Sequence, residues 1–303
     1  MSEPTTVISA QPVVLPAPDR GEDLQVRVCA PAAGSGLPVV VFSHGFGWSM
    51  NGYAPLADHW AAAGFVVLLP THLDSRTLAV PQEDPRTPDI WRIRIQDLVR
   101  VIDELDTLVA AVPGLAGRVD RGRVAVAGHS WGAQTAGALL GARVLDAEGV
   151  PGEDLSDPRV QAGVLLAATG LGDDLVPFAE EHFPFMRPSF ATMTTPALVV
   201  AGDRDQSHLS TRGPDWFTDP YVHSPGDKSL LTVFGGEHSL GGVSGHDVAE
   251  TTDASPARVA LVQRLTTAYL RSALHQEDTA WKEAVTALEG ESDPLGSVRS
   301  KQR

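Results

Sequence analysis

Five residues, Gly128-His129-Ser130-Trp131-Gly132, follow directly on the apolar run Val124-Ala125-Val126-Ala127 and lead into a helix-like stretch from Ala133 to Val144. That order constrains the fold more than any other part of the chain. The apolar run reads as a buried strand, and the residues after Gly132 read as a helix. The five residues between must therefore turn the chain sharply from strand to helix, with Ser130 at the apex. Glycine is needed on either side because the helix and the neighbouring strands come too close to the turn for larger side chains. The first N–H groups of the helix lack internal acceptors and carry the positive end of its dipole. They face any negative charge that forms beside Ser130.

Strands and helices alternate through the rest of the chain, which predicts a mostly parallel sheet with helices on both faces. Val13–Leu15 and Leu24–Cys29 read as an antiparallel pair, and Pro38–Phe42, Gly64–Pro70, Arg123–Ala127, Val160–Ala168, Pro196–Ala201 and Ser229–Phe234 as buried strands. Helices are expected at Tyr53–Ala63, Asp89–Val112, Pro256–Leu274 and Thr279–Leu288. In the second of these, Trp91, Ile95, Leu98, Ile102, Leu105 and Val109 recur at steps of four and three, as an apolar helix face requires. No internal repeat or long linker interrupts the pattern. Residues 1–275 are read as a single α/β domain, and 276–303 as an extension holding a short helix and then a loose tail.

In open α/β sheets, ligands bind beyond the carboxyl ends of the strands. Three polar residues fall there, in chain order Ser130, Asp205 and His238. A serine hydroxyl is a poor nucleophile at neutral pH until a base takes its proton, and the base needs a carboxylate to orient it. Ser130 is the candidate nucleophile, His238 the base and then acid, and Asp205 the orienting carboxylate. Asp203 competes for the last role, with local turn capping as its alternative. An oxyanion would need two fixed donors. The candidates are the backbone N–H of Trp131 and that of Phe46, in the Ser43-His44-Gly45-Phe46-Gly47 loop. His44 and His129 are expected to bond loop carbonyls, and His129 also borders the candidate pocket.

At these residues the chain resembles the α/β-hydrolase superfamily, over about Val13 to Leu274. Val41-Phe42-Ser43-His44-Gly45-Phe46-Gly47 together with the Ser130 elbow is similar to the branch holding platelet-activating-factor acetylhydrolases, chlorophyllases, dienelactone-hydrolase-like proteins and cutinase-like polyester hydrolases. The resemblance implies an α/β-hydrolase fold without a large cap domain. It also implies a serine hydrolase that cleaves carboxylic esters through an acyl-enzyme, with no cofactor and no metal. Thioester, lactone or amide cleavage on the same groups, and a non-catalytic binding protein, are the alternatives. The chain departs from dienelactone hydrolases in having serine rather than cysteine at the elbow. It departs from the polyester hydrolases in lacking both a disulfide and a tryptophan after the strand ending Leu165-Leu166-Ala167-Ala168-Thr169.

Two excursions overhang the expected site. One carries Phe178, Phe183, Phe185, Met186 and Phe190, and the other Trp216, Phe217 and Tyr221. Phe183, Phe185 and Trp216 are the candidate walls for an apolar acyl or alcohol group, with packing onto the sheet as the alternative. In the Thr71–Arg76 loop, His72 or Arg76 could meet a substrate carboxylate, and an Asp74–Arg76 ion pair is the expected competitor. A net charge of −15 argues against nucleic acid and anionic membranes as partners. No apolar run approaches the roughly 20 residues a membrane-spanning helix needs. Met1-Ser2-Glu3-Pro4 has neither a basic nor an apolar leader segment, and the single Cys29 forms no intrachain disulfide, so a cytoplasmic location is expected.

Overall fold

Strands β1 (Val7–Leu15) and β2 (Leu24–Pro31) pair antiparallel at one margin of a nine-stranded sheet. β3 (Leu37–Ser43) follows, then helix α1 (Ala54–Ala62) and β4 (Val66–Pro70). Helices α2 (Ile90–Asp103) and α3 (Leu105–Ala110) lead to β5 (Val119–His129), α4 (Trp131–Leu139) and a short β6 (Arg143–Val144). Next come β7 (Val160–Leu166), α5 (Pro177–His182), β8 (Pro188–Ser189) and β9 (Ala197–Gly202). The chain closes with α6 (Asp219–Val222), β10 (Lys228–Val233), α7 (Pro256–Leu274), α8 (Ala280–Glu289) and β11 (Gly296–Lys301). This computed structural model describes residues 5–81, 83–245, 248–275 and 277–302. Met1–Pro4, read above for a leader, and Gln276, where the extension was set to begin, lie outside the described residues.

The sheet order is β1-β2-β4-β3-β5-β7-β9-β10-β11. The run from β4 to β10 is parallel. Its strands are apolar at nearly every position because both faces are covered. Along β3, Val39 and Val41 pack with α2, α3 and α4, while Val40 and Phe42 pack with α1 and α7 on the other face. Every parallel strand therefore delivers its carboxyl end to one edge. Ser130, Asp205 and His238 all emerge there.

Three expectations change. The helix read as Asp89–Val112 breaks at Glu104, which separates α2 from α3. The helix after the elbow ends at Leu139, because Gly141 turns left-handed (φ 104°) and sends Arg143–Val144 to pair with Pro188–Ser189. The tail is not loose: Gly296–Lys301 adds an antiparallel edge strand to β10. One face of an edge strand is wet, so serine, arginine and lysine suffice there, and the alternation is too polar to read as a strand. Among the described residues, no helix is long and apolar enough to cross a membrane.

Candidate active site

Ser130 sits at φ 56°, ψ −124°, a conformation that L side chains rarely adopt. Its N–H is held by the Leu166 carbonyl at 2.9 Å. The two glycines are explained by close backbone approach. A Cβ on Gly128 would lie 2.1 Å from the Gly132 carbonyl oxygen, and one on Gly132 would lie 2.0 Å from that of Ser43. β5, α4 and the end of β3 thus meet at distances only glycine allows.

The turn after β10 carries His238, and the turn after β9 carries Asp205. Ser130 Oγ lies 2.9 Å from His238 Nε2, and His238 Nδ1 lies 3.0 Å from Asp205 Oδ2. A carboxylate only accepts, so Nδ1 bears the proton and Nε2 is left to accept from the serine hydroxyl. Asp205 is fully buried, while the His238 side chain is 42% exposed. Burial pushes the Asp205 carboxyl above the usual carboxylate range, opposed by its bond to His238. Asp203 instead accepts the Gly235 N–H at 2.6 Å, a bond to the neighbouring turn after β10 rather than within its own turn. Asp253 accepts the N–H groups of Glu237 and Gly241 at 2.9 Å each, and so braces the His238 turn from both sides.

The N–H groups of Phe46 and Trp131 meet no acceptor among the described residues. The Phe46 N–H shares a planar trans peptide with the Gly45 carbonyl, so fixing one fixes the other. That carbonyl accepts from His44 Nδ1 at 2.7 Å and from the Trp48 N–H at 3.2 Å. His44 Nε2 in turn accepts the His72 N–H at 3.0 Å. Burial holds His44 neutral, down to a pKa of about 4. Asp74 accepts the Gly47 N–H at 3.1 Å and pairs with Arg94 at 2.6 Å. Arg94 also donates to the His44 carbonyl. Burial alone would raise the Asp74 carboxyl, but Arg94, His44 and the Gly47 N–H together outweigh it and the net shift is downward.

The Thr71–Arg76 loop differs from expectation. His72 is fully buried, with Nδ1 donating to Asp97 at 2.9 Å and Nε2 bonded to Ser43 Oγ at 2.9 Å. Asp74 pairs with Arg94 rather than Arg76, and Arg76 reaches Glu250 at 3.1 Å. The buried ion pair wins because Asp74 is 2% exposed and needs a cation that can follow it inside.

Two pocket assignments need correction. His129 is only 5% exposed and turns away from the cleft: Nδ1 meets Tyr53 Oη at 2.9 Å, and Nε2 donates to the His238 carbonyl at 2.7 Å. Trp216 is fully buried and donates its indole N–H to the Leu171 carbonyl at 3.0 Å, so it is core rather than wall. Its neighbour Phe217 instead backs the His238 ring, at 5.6 Å between centroids. Phe183 and Phe185 do border a groove of about 780 Å³, with Phe46, Trp131 and Phe178. Trp131 meets both rings edge-on, at 5.3 and 5.1 Å. Asp74, Glu83, Asp84 and Glu181 also line the groove, Asp74 paired with Arg94 and Asp84 with Arg86, and among the described residues no lysine or arginine lines it.

Residues 12–146 match the family model Chlorophyllase. The matched segment spans β2 to β6 and includes both the Phe46 loop and the Ser130 elbow, while Asp205 and His238 lie beyond it. With the parallel sheet and its flanking helices, the fold is that of an α/β hydrolase, and over this segment the chain is similar to the chlorophyllases. The residues that sequence reading missed are Tyr53, Arg94 and Asp97. The one signal was Arg94 and Asp97 standing beside the apolar positions Ile95 and Leu98 of α2, where a solvated face would have kept them apart.

Proposed function

We propose that the protein is a serine hydrolase that cleaves carboxylic esters through an acyl-enzyme. One observation carries the reading: a serine at a left-handed strand-to-helix turn, bonded at 2.9 Å to a histidine that is itself bonded to a buried aspartate. Ser130 Oγ attacks the ester carbonyl as His238 Nε2 takes its proton. The oxyanion is held by the N–H groups of Phe46 and Trp131, at the dipole end of α4. As the tetrahedral intermediate collapses, His238 returns the proton to the leaving alkoxide, leaving Ser130 acylated. Water then attacks the acyl carbonyl with His238 as base, and the acid departs as Ser130 regains its proton. Asp205 holds the imidazole in the tautomer this needs and stabilises the imidazolium.

The groove beside Phe46 and Trp131 takes the apolar part of the ester. Its volume is within the range that accommodates a drug-sized group, larger than an acetyl. Glu83 and Glu181 on its rim disfavour substrates that carry a negative charge near the apolar end. The test is the initial rate on p-nitrophenyl esters from acetate to palmitate, a thioester of the best acid, and a mono-p-nitrophenyl dicarboxylate of matched length, for the wild type and Ser130→Ala. The expected result is an optimum longer than acetate, a weaker rate on the anionic ester, and a loss of several orders of magnitude in the variant. Equal turnover by Ser130→Ala, or no turnover of any ester by folded wild type, would overturn the reading.

A further inference from the structure

Three hydrogen bonds buried beneath the cleft run in one direction. The Gly45 N–H donates to Tyr53 Oη at 3.0 Å, Tyr53 Oη meets His129 Nδ1 at 2.9 Å, and His129 Nε2 meets the His238 carbonyl at 2.7 Å. The end groups leave one assignment of protons. A carbonyl only accepts, so His129 bears its proton on Nε2; Nδ1 then accepts, and the Tyr53 hydroxyl must be the donor to it. Every donor and acceptor along the chain is used.

We propose that Tyr53 and His129 are positioning residues that couple the Phe46 loop to the His238 loop, and so hold the oxyanion donor and the general base at a fixed separation across the reacting carbonyl. The inference rests on the hydrolase reading above. Gly45 precedes Phe46 directly, and its carbonyl side is already fastened by His44, so the Tyr53 bond fastens the remaining side. At the other end, His129 holds the main chain of His238 itself.

Three further features support this coupling. Tyr53 is fully buried and adopts φ 61°, a left-handed conformation costly for a tyrosine and retained only where the surroundings impose it. Its own N–H is held by the Ser244 carbonyl at 3.2 Å, in the segment after His238, so its backbone engages the His238 side while its hydroxyl engages the Phe46 loop. A Cβ on Gly45 would lie 3.0 Å from Tyr53 Oη and 3.5 Å from His129 Nδ1, which makes glycine part of the arrangement. Burial, helped by the neighbouring His238, lowers the His129 pKa to about 3, so the direction of the bonds holds through the neutral range.

Tyr53→Phe tests the coupling with little change in packing, because its ring contacts with Phe42 and Trp48 remain. The expected result is a fall in kcat of about tenfold or more with KM within about twofold, since a misplacement well under 1 Å at the reacting atoms is enough. The rate of labelling by a fluorophosphonate should fall in parallel. His129→Leu should lose as much, whereas His129→Gln, whose amide can accept from Tyr53 and donate to His238, should recover most of it. Because breaking the chain once uncouples the loops, Tyr53→Phe combined with His129→Leu should be no slower than the slower single variant. A Tyr53→Phe kcat within twofold of wild type, or a double variant whose losses multiply, would overturn the coupling and leave the hydrolase reading intact. Wild type that neither turns over esters nor takes the label would overturn the hydrolase reading itself.

Discussion

Gly132→Ala is the sharpest probe of how the two proposed oxyanion donors are held. The added Cβ would lie 2.0 Å from the Ser43 carbonyl oxygen and 2.6 Å from that of His44, both backbone atoms with no side-chain freedom to yield. Relief to ordinary contact at 3.4 Å requires α4 and the end of β3 to part by about 1.4 Å. The Trp131 N–H rides on α4 and the Phe46 N–H on the loop after β3, so the gap between them widens by a similar amount. A hydrogen bond near 2.9 Å stretched by about 1 Å is lost. Losing one such donor typically lowers kcat by about 10²–10³, or roughly 3–4 kcal/mol of transition-state stabilisation. The overpacking itself should cost about 1–3 kcal/mol of stability. The assay is kcat and KM on p-nitrophenyl butyrate, with a thermal melt to hold the folded fraction fixed. Gly137→Ala is the control on the same helix, because its Cβ would meet only Ala142 Cβ at 3.8 Å. The control should keep full activity and gain slightly in stability. A Gly132→Ala enzyme within threefold of wild type would refute the argument that this close approach sets the donor spacing.

Other consequences can be checked with single variants. Asp205→Asn should lower kcat by about 10⁴, the effect of the wrong imidazole tautomer, while Asp203→Asn stays within a few-fold; steady-state kinetics showing the reverse order would reassign the carboxylate. Asp74→Asn leaves the buried Arg94 without its counter-charge and should cost about 3–5 kcal/mol in denaturant unfolding, together with activity through Gly47; an unchanged midpoint would show the ion pair to be dispensable. The buried histidines should lower stability as the medium is acidified, against the opposite contribution of the Asp97 and Asp205 carboxyls, which burial raises. In the unfolded chain His44 and His129 take up protons near pH 6.5, whereas in the folded protein they stay neutral down to about pH 4 and about pH 3. The unfolded state binds more protons across that window. The histidine contribution is therefore full above pH 6.5 and declines as pH falls, by up to about 1.4 kcal/mol per pH unit for each histidine. A His129→Gln protein whose melting temperature falls as steeply as that of the wild type between pH 7 and pH 4 would contradict it.

The elbow was legible because it combines a local motif with a buried strand before it and a helix after it. Asp205 and His238 were legible because each follows a buried strand in a parallel sheet, and such strands end at one edge. Trp216 was misread because aromatic residues wall pockets and fill cores alike, and sequence carries no sign of which way the Gln206–Lys228 segment folds back. His129 was placed in the pocket for its adjacency to Ser130, yet neighbours at a sharp turn point in opposite directions. Tyr53 and Arg94 escaped notice because their partners, His129 and Asp74, lie 76 and 20 residues away. The edge strand β11 was invisible because a half-wet strand of serine and basic residues has no apolar period.

Whether Ser130 is the nucleophile is decided by active-site labelling. Folded wild type and Ser130→Ala would each be treated with a fluorophosphonate, and the intact mass and the modified peptide identified. One adduct is expected on wild type, carried by the peptide containing Ser130, and none on the variant. An adduct that survives in Ser130→Ala, or a folded wild type that takes no label, would contradict that role.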